Sequence, residues 1–234
     1  MGLVDVDGRD IYVFDEEGNF SHIISDGTDK ARGYLMKNES HDAILFDFAD
    51  PINDPCNIKT GNEGFDRVQI ITDEMIDNAL WNASVYEQEN RDSRYMFALL
   101  QSSVQDPNCE KGINGKLDFY ATANMDLDRR HWMHKIADPC DNDVSFLSVS
   151  PNVLFLTKTP KGWYAHNDHN LGNFLWGAAM DALGFWEITA RIGAHIQNRF
   201  LSNEQKAKKE WDSPDDQFSI SLGYDWYNNY KKGK

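Results

Sequence analysis

The residues most able to do chemistry stand in one row: His166-Asn167-Asp168-His169-Asn170-Leu171-Gly172-Asn173-Phe174-Leu175-Trp176-Gly177. An imidazole with its ordinary pKa near 6.5 serves as both base and acid around neutral pH. Two of them with a carboxylate suffice for hydrolysis, or for transfer at an RNA 2′-hydroxyl. His166 or His169 then takes or gives the proton, Asp168 orients an imidazole, and Asn170 and Asn173 bind substrate. Helix capping explains one such side chain, Asp168 or Asn170, but not five in a row. A metal-bound variant is also open. His166 and His169, with Asp168 and with His195 further on, could hold a divalent ion. The spacing is no zinc signature, and metal-free proton transfer ranks ahead of it.

A second row lies downstream. Glu187, Arg191 and His195 are spaced i, i+4, i+8, so they share one face of a helix. A salt-bridged, solvated face is the bland account of that pattern. Ile188, Ile192 and Ile196 run beside it and predict a buried stripe, with His195 at its edge. That placement would point His195 at the 166–173 segment and make it the next candidate for acid–base work. Glu187 is a candidate carboxylate and Arg191 a candidate substrate contact. Gly172 and Gly177 frame Trp176, which can contact substrate or pack in the core. The glycines allow close approach, to a ligand or to another helix. Arg129 and Arg130 precede His131 and His134; they can bind phosphate or face solvent.

These rows need elements to position them. Residues 11–14 and 20–24 predict a hairpin across Asp15-Glu16-Glu17-Gly18-Asn19. Short strands are expected at 43–46 and 67–71, with a loop at 49–64 between them. A helix is expected from Thr72. Residues 93–103 read equally as helix or strand. A strand at 116–123, a helix at 126–136 and one or two strands within 144–157 follow. Three helices close the sequence, at 171–183, 186–200 and 214–230. The last is headed by Ser213 as N-cap, then Pro214, Asp215 and Asp216. The fold class is α+β, a β-rich N-terminal part followed by a helical C-terminal part carrying the polar motif. The expected boundaries are a junction at 1–10, a β-rich part at 11–125 and an α-rich part with the site at 126–234.

Composition narrows the partners. The 234 residues carry 38 acidic and 23 basic side chains, a net charge of −15. That argues against wide, sequence-independent nucleic-acid binding, which needs many cations on the phosphates. It leaves room for a local basic cleft, and it suits a basic protein partner. Hydrophobic residues make up 41%, enough for a sizeable core. No apolar run spans a bilayer, and no signal peptide opens the sequence. Cys56, Cys109 and Cys140 each follow an Asp-Pro turn, and an odd count suggests no disulfide framework.

Two stretches resemble known families. Leu3 to Asp10, with Asp5, Asp7 and Gly8, is similar to the junction that ends an Rhs core before its variable toxin, with Val6 where Pro is usual. Asn170 to Gly177, then Leu183-Gly184-Phe185, Gly193-Ala194-His195, and Asp215-Asp216-Gln217 through Leu222-Gly223-Tyr224, resembles the type 44 polymorphic toxins. That resemblance covers about residues 160–230. It implies a secreted toxin, delivered into competing bacterial cells as the cargo of an Rhs-type carrier and secretion apparatus, and a cognate immunity protein. A carried cargo would also account for the missing signal peptide.

The residues themselves leave three activities open. A metal-independent ribonuclease acting through the histidines comes first. A peptidoglycan hydrolase fits the acidic balance and the seven Trp, and needs a committed carboxylate such as Asp168 or Glu187. A non-enzymatic toxin would use 166–177 as a binding loop.

Overall fold

Tyr12 and Phe14 point to one face of their strand because side chains alternate along β structure. Phe46 and Phe48 do the same two strands away, and the four rings make the centre of a core. In the computed structural model, which describes residues 10–25, 30–59, 64–82, 85, 152–196 and 211–230, these strands belong to a seven-stranded mixed sheet. They are β1 (Asp10–Phe14), β2 (Phe20–Ser25), β3 (Arg32–Leu35), β4 (Ile44–Phe48), β5 (Arg67–Ile71), β6 (Val153–Thr159) and β7 (Gly162–His166). Their spatial order is β2-β1-β3-β4-β7-β6-β5. The β1–β2, β3–β4 and β6–β7 pairs are antiparallel. The β1–β3, β4–β7 and β5–β6 pairs are parallel.

The hairpin turn lies where the sequence predicts it. Asp15 accepts the backbone N–H of Glu17 at 3.0 Å and of Asn19 at 2.8 Å, an Asx-type turn. Gly18 takes φ +86° there, and a Cβ on it would stand 2.3 Å from the Val68 carbonyl oxygen. One face of the sheet buries Tyr12, Phe14, Leu35, Ile44, Phe46, Phe48, Leu154, Leu156 and Ala165 together. Tyr12 meets Phe48 edge-on with centroids 5.9 Å apart. The short helix α1 (Asn53–Cys56) follows β4 and ends on an exposed free thiol at Cys56.

The chain divides into two compact units. The sheet unit comprises Met1–Thr72 and Ser150–Asp168; the helical unit comprises Asp73–Val149 and His169–Lys234. The described helices of the second unit are α2 (Asp73–Asn82), α3 (Asp168–Ala182), α4 (Glu187–Ile196) and α5 (Pro214–Tyr230), with the first residue of α3 assigned to the sheet unit. The architecture is α+β, strands in the N-terminal part and helices in the C-terminal part, although β6 and β7 come from beyond residue 150. Expected elements at 93–103, 116–123 and 126–136 lie outside the described residues, as do Arg129, Arg130, His131, His134, Cys109 and Cys140. The junction residues Asp5, Asp7 and Gly8 lie outside them too. No helix among the described residues is long and apolar enough to cross a membrane.

Two glycines set how closely the helices of the second unit pack. A Cβ on Gly177 of α3 would stand 2.1 Å from the Ile220 carbonyl oxygen of α5, and one on Gly223 of α5 would stand 1.9 Å from that of Phe174. The two backbones therefore touch where they cross. Around them Met180, Ala190, Ala194, Ile220 and Tyr224 form an apolar cluster. α4 enters that cluster through its alanines. Ile188, Ile192 and Ile196 are exposed, which corrects the expectation of a buried isoleucine stripe. The small Ala face lets α4 lie close to α5, and the bulkier β-branched ridge is left outward.

Candidate functional site

The first turn of α5 gathers a polar cluster. Ser213 caps it: its Oγ accepts the Asp216 backbone N–H at 3.4 Å and donates to Asp216 Oδ2 at 2.7 Å. The cap predicted from Ser213 and Pro214 is therefore present, with Asp216 returning the bond. Asn173, one turn into α3, donates its side-chain amide to Asp216 Oδ1 at 2.7 Å. Both oxygens of Asp216 are thus held by donors.

Asp212 lies two residues ahead of α5 and is buried. Gln217 donates from Nε2 to Asp212 Oδ2 and to the Arg191 carbonyl. Gln217 Oε1 accepts from Arg191 Nε at 2.8 Å. The backbone N–H of Asp212 donates to His195 Nδ1 at 3.1 Å. Burial pushes the Asp212 carboxyl up, and the negative charge of Asp216 pushes it further, to about 7. The hydrogen bond from Gln217 pulls the other way but is outweighed. Burial and the neighbouring charge thus hold the Asp212 carboxyl well above the usual carboxylate range, as a general acid requires.

α4 supplies the remaining walls. Glu187 Oε1 accepts the Ser221 hydroxyl, and Arg191 Nη1 lies 3.8 Å from the same oxygen. Glu187 and Arg191 thus engage α5, and His195 engages Asp212 just ahead of it, so the row does more than form an outward salt-bridged face. Asn173 joins them at the same helix end. Four sequence candidates are brought together here: Asn173, Glu187, Arg191 and His195.

The others lie elsewhere. His166 ends β7 in the sheet unit and is completely buried, its Nε2 2.9 Å from Thr157 Oγ1. Burial alone lowers its pKa to about 3, so the imidazole is neutral over the physiological range. Asn167 donates to Asp54 at 3.0 Å. Asp168 is the first residue of α3, and His169 is exposed in its first turn. The polar run is therefore a strand end and a helix start joined at Asn167, not a loop. Asn170 is buried within α3. Trp176 packs against the apolar cluster and donates its indole N–H to the Ala190 carbonyl at 3.2 Å. Among the described residues no group of three or more His, Cys, Asp or Glu is placed to hold a metal ion, and His166 and His169 belong to different compact units.

Sequence reasoning missed Asp212, Asp216 and Gln217 as site residues, reading Asp216 as an acid of the helix cap. The signal was a third carboxylate, Asp212, just ahead of the capped turn Ser213-Pro214-Asp215-Asp216. One cap needs one such side chain, and the surplus acid is the one that titrates abnormally.

Residues 122–229 match the family model for bacterial toxin 44. This bears out the resemblance to the type 44 toxins and supports a bacterial toxin domain in the C-terminal part. No curated protein and no solved structure matches the chain.

Proposed function

We propose that the bacterial toxin 44 region is a hydrolase that cuts the glycan of a competing cell's wall through Asp212 and Asp216. The observation that carries this reading is the burial of the Asp212 carboxyl beside Asp216 and against the Gln217 amide; burial first, and then the Asp216 charge, pushes its pKa up to about 7. Asp212 gives its proton to the glycosidic oxygen as the bond to the anomeric carbon breaks. Water then adds to the anomeric carbon and returns its proton to the Asp212 carboxylate, while Asp216, held by Asn173 and Ser213, supplies negative charge beside it. Gln217, with Arg191 behind it, fixes the Asp212 carboxyl. The dense negative charge of the cluster disfavours a polyphosphate substrate, which moves the weight from the ribonuclease to the wall hydrolase. The histidine mechanism loses His166, whose imidazole is neutral and turned to Thr157.

In this reading the toxin travels as cargo of an Rhs-type carrier, acts in the periplasm of the recipient, and is neutralised in the producer by its immunity protein. The test is expression in a bacterial host with and without an export signal, scoring lysis, muropeptide release and RNA integrity. Toxicity confined to the exported form, with muropeptide release that Asp212→Asn abolishes, is the expected result. Toxicity without export, with fragmented RNA, returns the case to the histidines. Export toxicity that survives Asp212→Asn and Asp216→Asn favours the binding toxin.

A further inference from the structure

Beside the carboxylate pair stands an aromatic side chain that the proposed chemistry leaves unused. Trp211 directly precedes Asp212, and 59% of it is open to solvent. Its ring is nonetheless held in a defined pose. The indole meets the His195 imidazole edge-on, with centroids 5.6 Å apart and planes at 87°. That same imidazole accepts the Asp212 backbone N–H. One side chain of α4 therefore braces both the backbone of the acid and the ring next to it. Because Nδ1 accepts, Nε2 is the nitrogen left to donate.

An open, braced indole offers a flat apolar face, and two ligand types stack on such a face: sugar rings and nucleobases. Charge decides between them. Asp212, Asp215 and Asp216 fall within five residues, and Glu187 comes from α4. Arg191, the cation of this cluster among the described residues, is engaged by Glu187 and Gln217. A phosphodiester beside a stacked base would meet this acidic surface, whereas a neutral pyranose stacks its C–H face on the indole and brings no charge.

We infer that Trp211 is the stacking platform of a sugar-binding subsite next to Asp212, an inference that rests on the glycan reading proposed above. The subsite would hold the pyranose adjoining the bond to be cut and so fix that bond against the acid.

The full chain carrying Asp212→Asn is titrated calorimetrically with the N-acetylglucosamine hexamer and, separately, with a uridylate oligomer of equal length. Sugar binding without oligonucleotide binding is expected. Adding Trp211→Ala should weaken sugar binding by roughly tenfold, the scale of one lost stacking contact, while Trp211→Phe should hold it within about threefold. Unchanged thermal midpoints establish that the variants fold. Undiminished sugar binding in Trp211→Ala overturns the platform and leaves the glycan reading standing. Binding of the oligonucleotide instead of the sugar, or of neither, overturns the glycan reading and the subsite with it.

Discussion

Arg191 Nε donates to Gln217 Oε1 at 2.8 Å, and this bond decides which way the Gln217 amide faces. With its oxygen committed to Arg191, its nitrogen must point to Asp212 and the Arg191 carbonyl. The amide donates to Asp212 and so favours its ionised form, against burial and against Asp216. Gln217→Leu removes that donor at nearly constant volume. The Asp212 pKa should then climb above about 7, and the alkaline limb of the activity profile should move up with it. Carboxyl 13C titration reads the shift independently of activity; an Asp212 curve identical in the two proteins would sink the assignment.

Asp212 should also govern part of the stability profile. Its pKa rises from 3.8 to about 7 on folding, so between those values the folded state binds more proton than the unfolded state. Stability therefore falls as pH rises through that window and levels off above it. Asp212→Asn should remove this slope, stabilise the protein at pH 8 by on the order of 1–3 kcal/mol, and lower activity by roughly a hundredfold or more. Urea unfolding at a series of pH values, beside a muropeptide-release assay, checks both halves. A variant less stable than the parent at pH 8 would count against the buried-acid account.

His166 should act with the opposite sign. Its pKa falls from 6.5 to about 3 on folding, so below 6.5 the unfolded chain takes up a proton that the folded chain refuses. The stability this group contributes is complete above about 6.5 and is lost as pH falls toward 3. His166→Gln keeps a polar partner for Thr157 and should flatten the acid limb of a melting-temperature profile. An acid limb as steep as the parent's would place the acid sensitivity elsewhere.

The glycine crossing makes a prediction about packing. Gly223→Ala would set a methyl group 1.9 Å from the Phe174 carbonyl oxygen, and neither backbone can yield without parting α3 from α5. A loss of about 3 kcal/mol is expected in denaturant unfolding. Ile192→Ser, on the exposed ridge of α4, should cost less than about 1 kcal/mol.

Much of the frame was legible because local patterns are decided locally. The hairpin turn at Asp15 to Asn19, the strand at 67–71 and the helix at 214–230 all sit where side-chain alternation, Gly18 and Ser213-Pro214 predict them. The faces of α4 were not legible. Three isoleucines outweigh two alanines on any hydropathy scale, yet close approach to α5 selects Ala190 and Ala194 for the interface. His166 was misleading for a related reason. Its chemistry depends on whether water reaches it, and that is set by β6, which a reading of residues 166–177 does not include. Asp212 escaped notice because its perturbation comes from burial and from Asp216, neither of which spacing reveals.

The strand order has a consequence for how the chain reaches its native state. β4 and β5 are neighbours in sequence, yet β7 and β6 lie between them in the sheet. β4 pairs with β7 and β5 with β6, so neither strand has its parallel partner until residues 153–166 have left the ribosome. The parallel pairs close long loops and form slowly. A nascent chain stopped short of that point would carry β4 with one open edge and β5 without a parallel neighbour. Translation must thus run through β7, to residue 166, before the sheet can close.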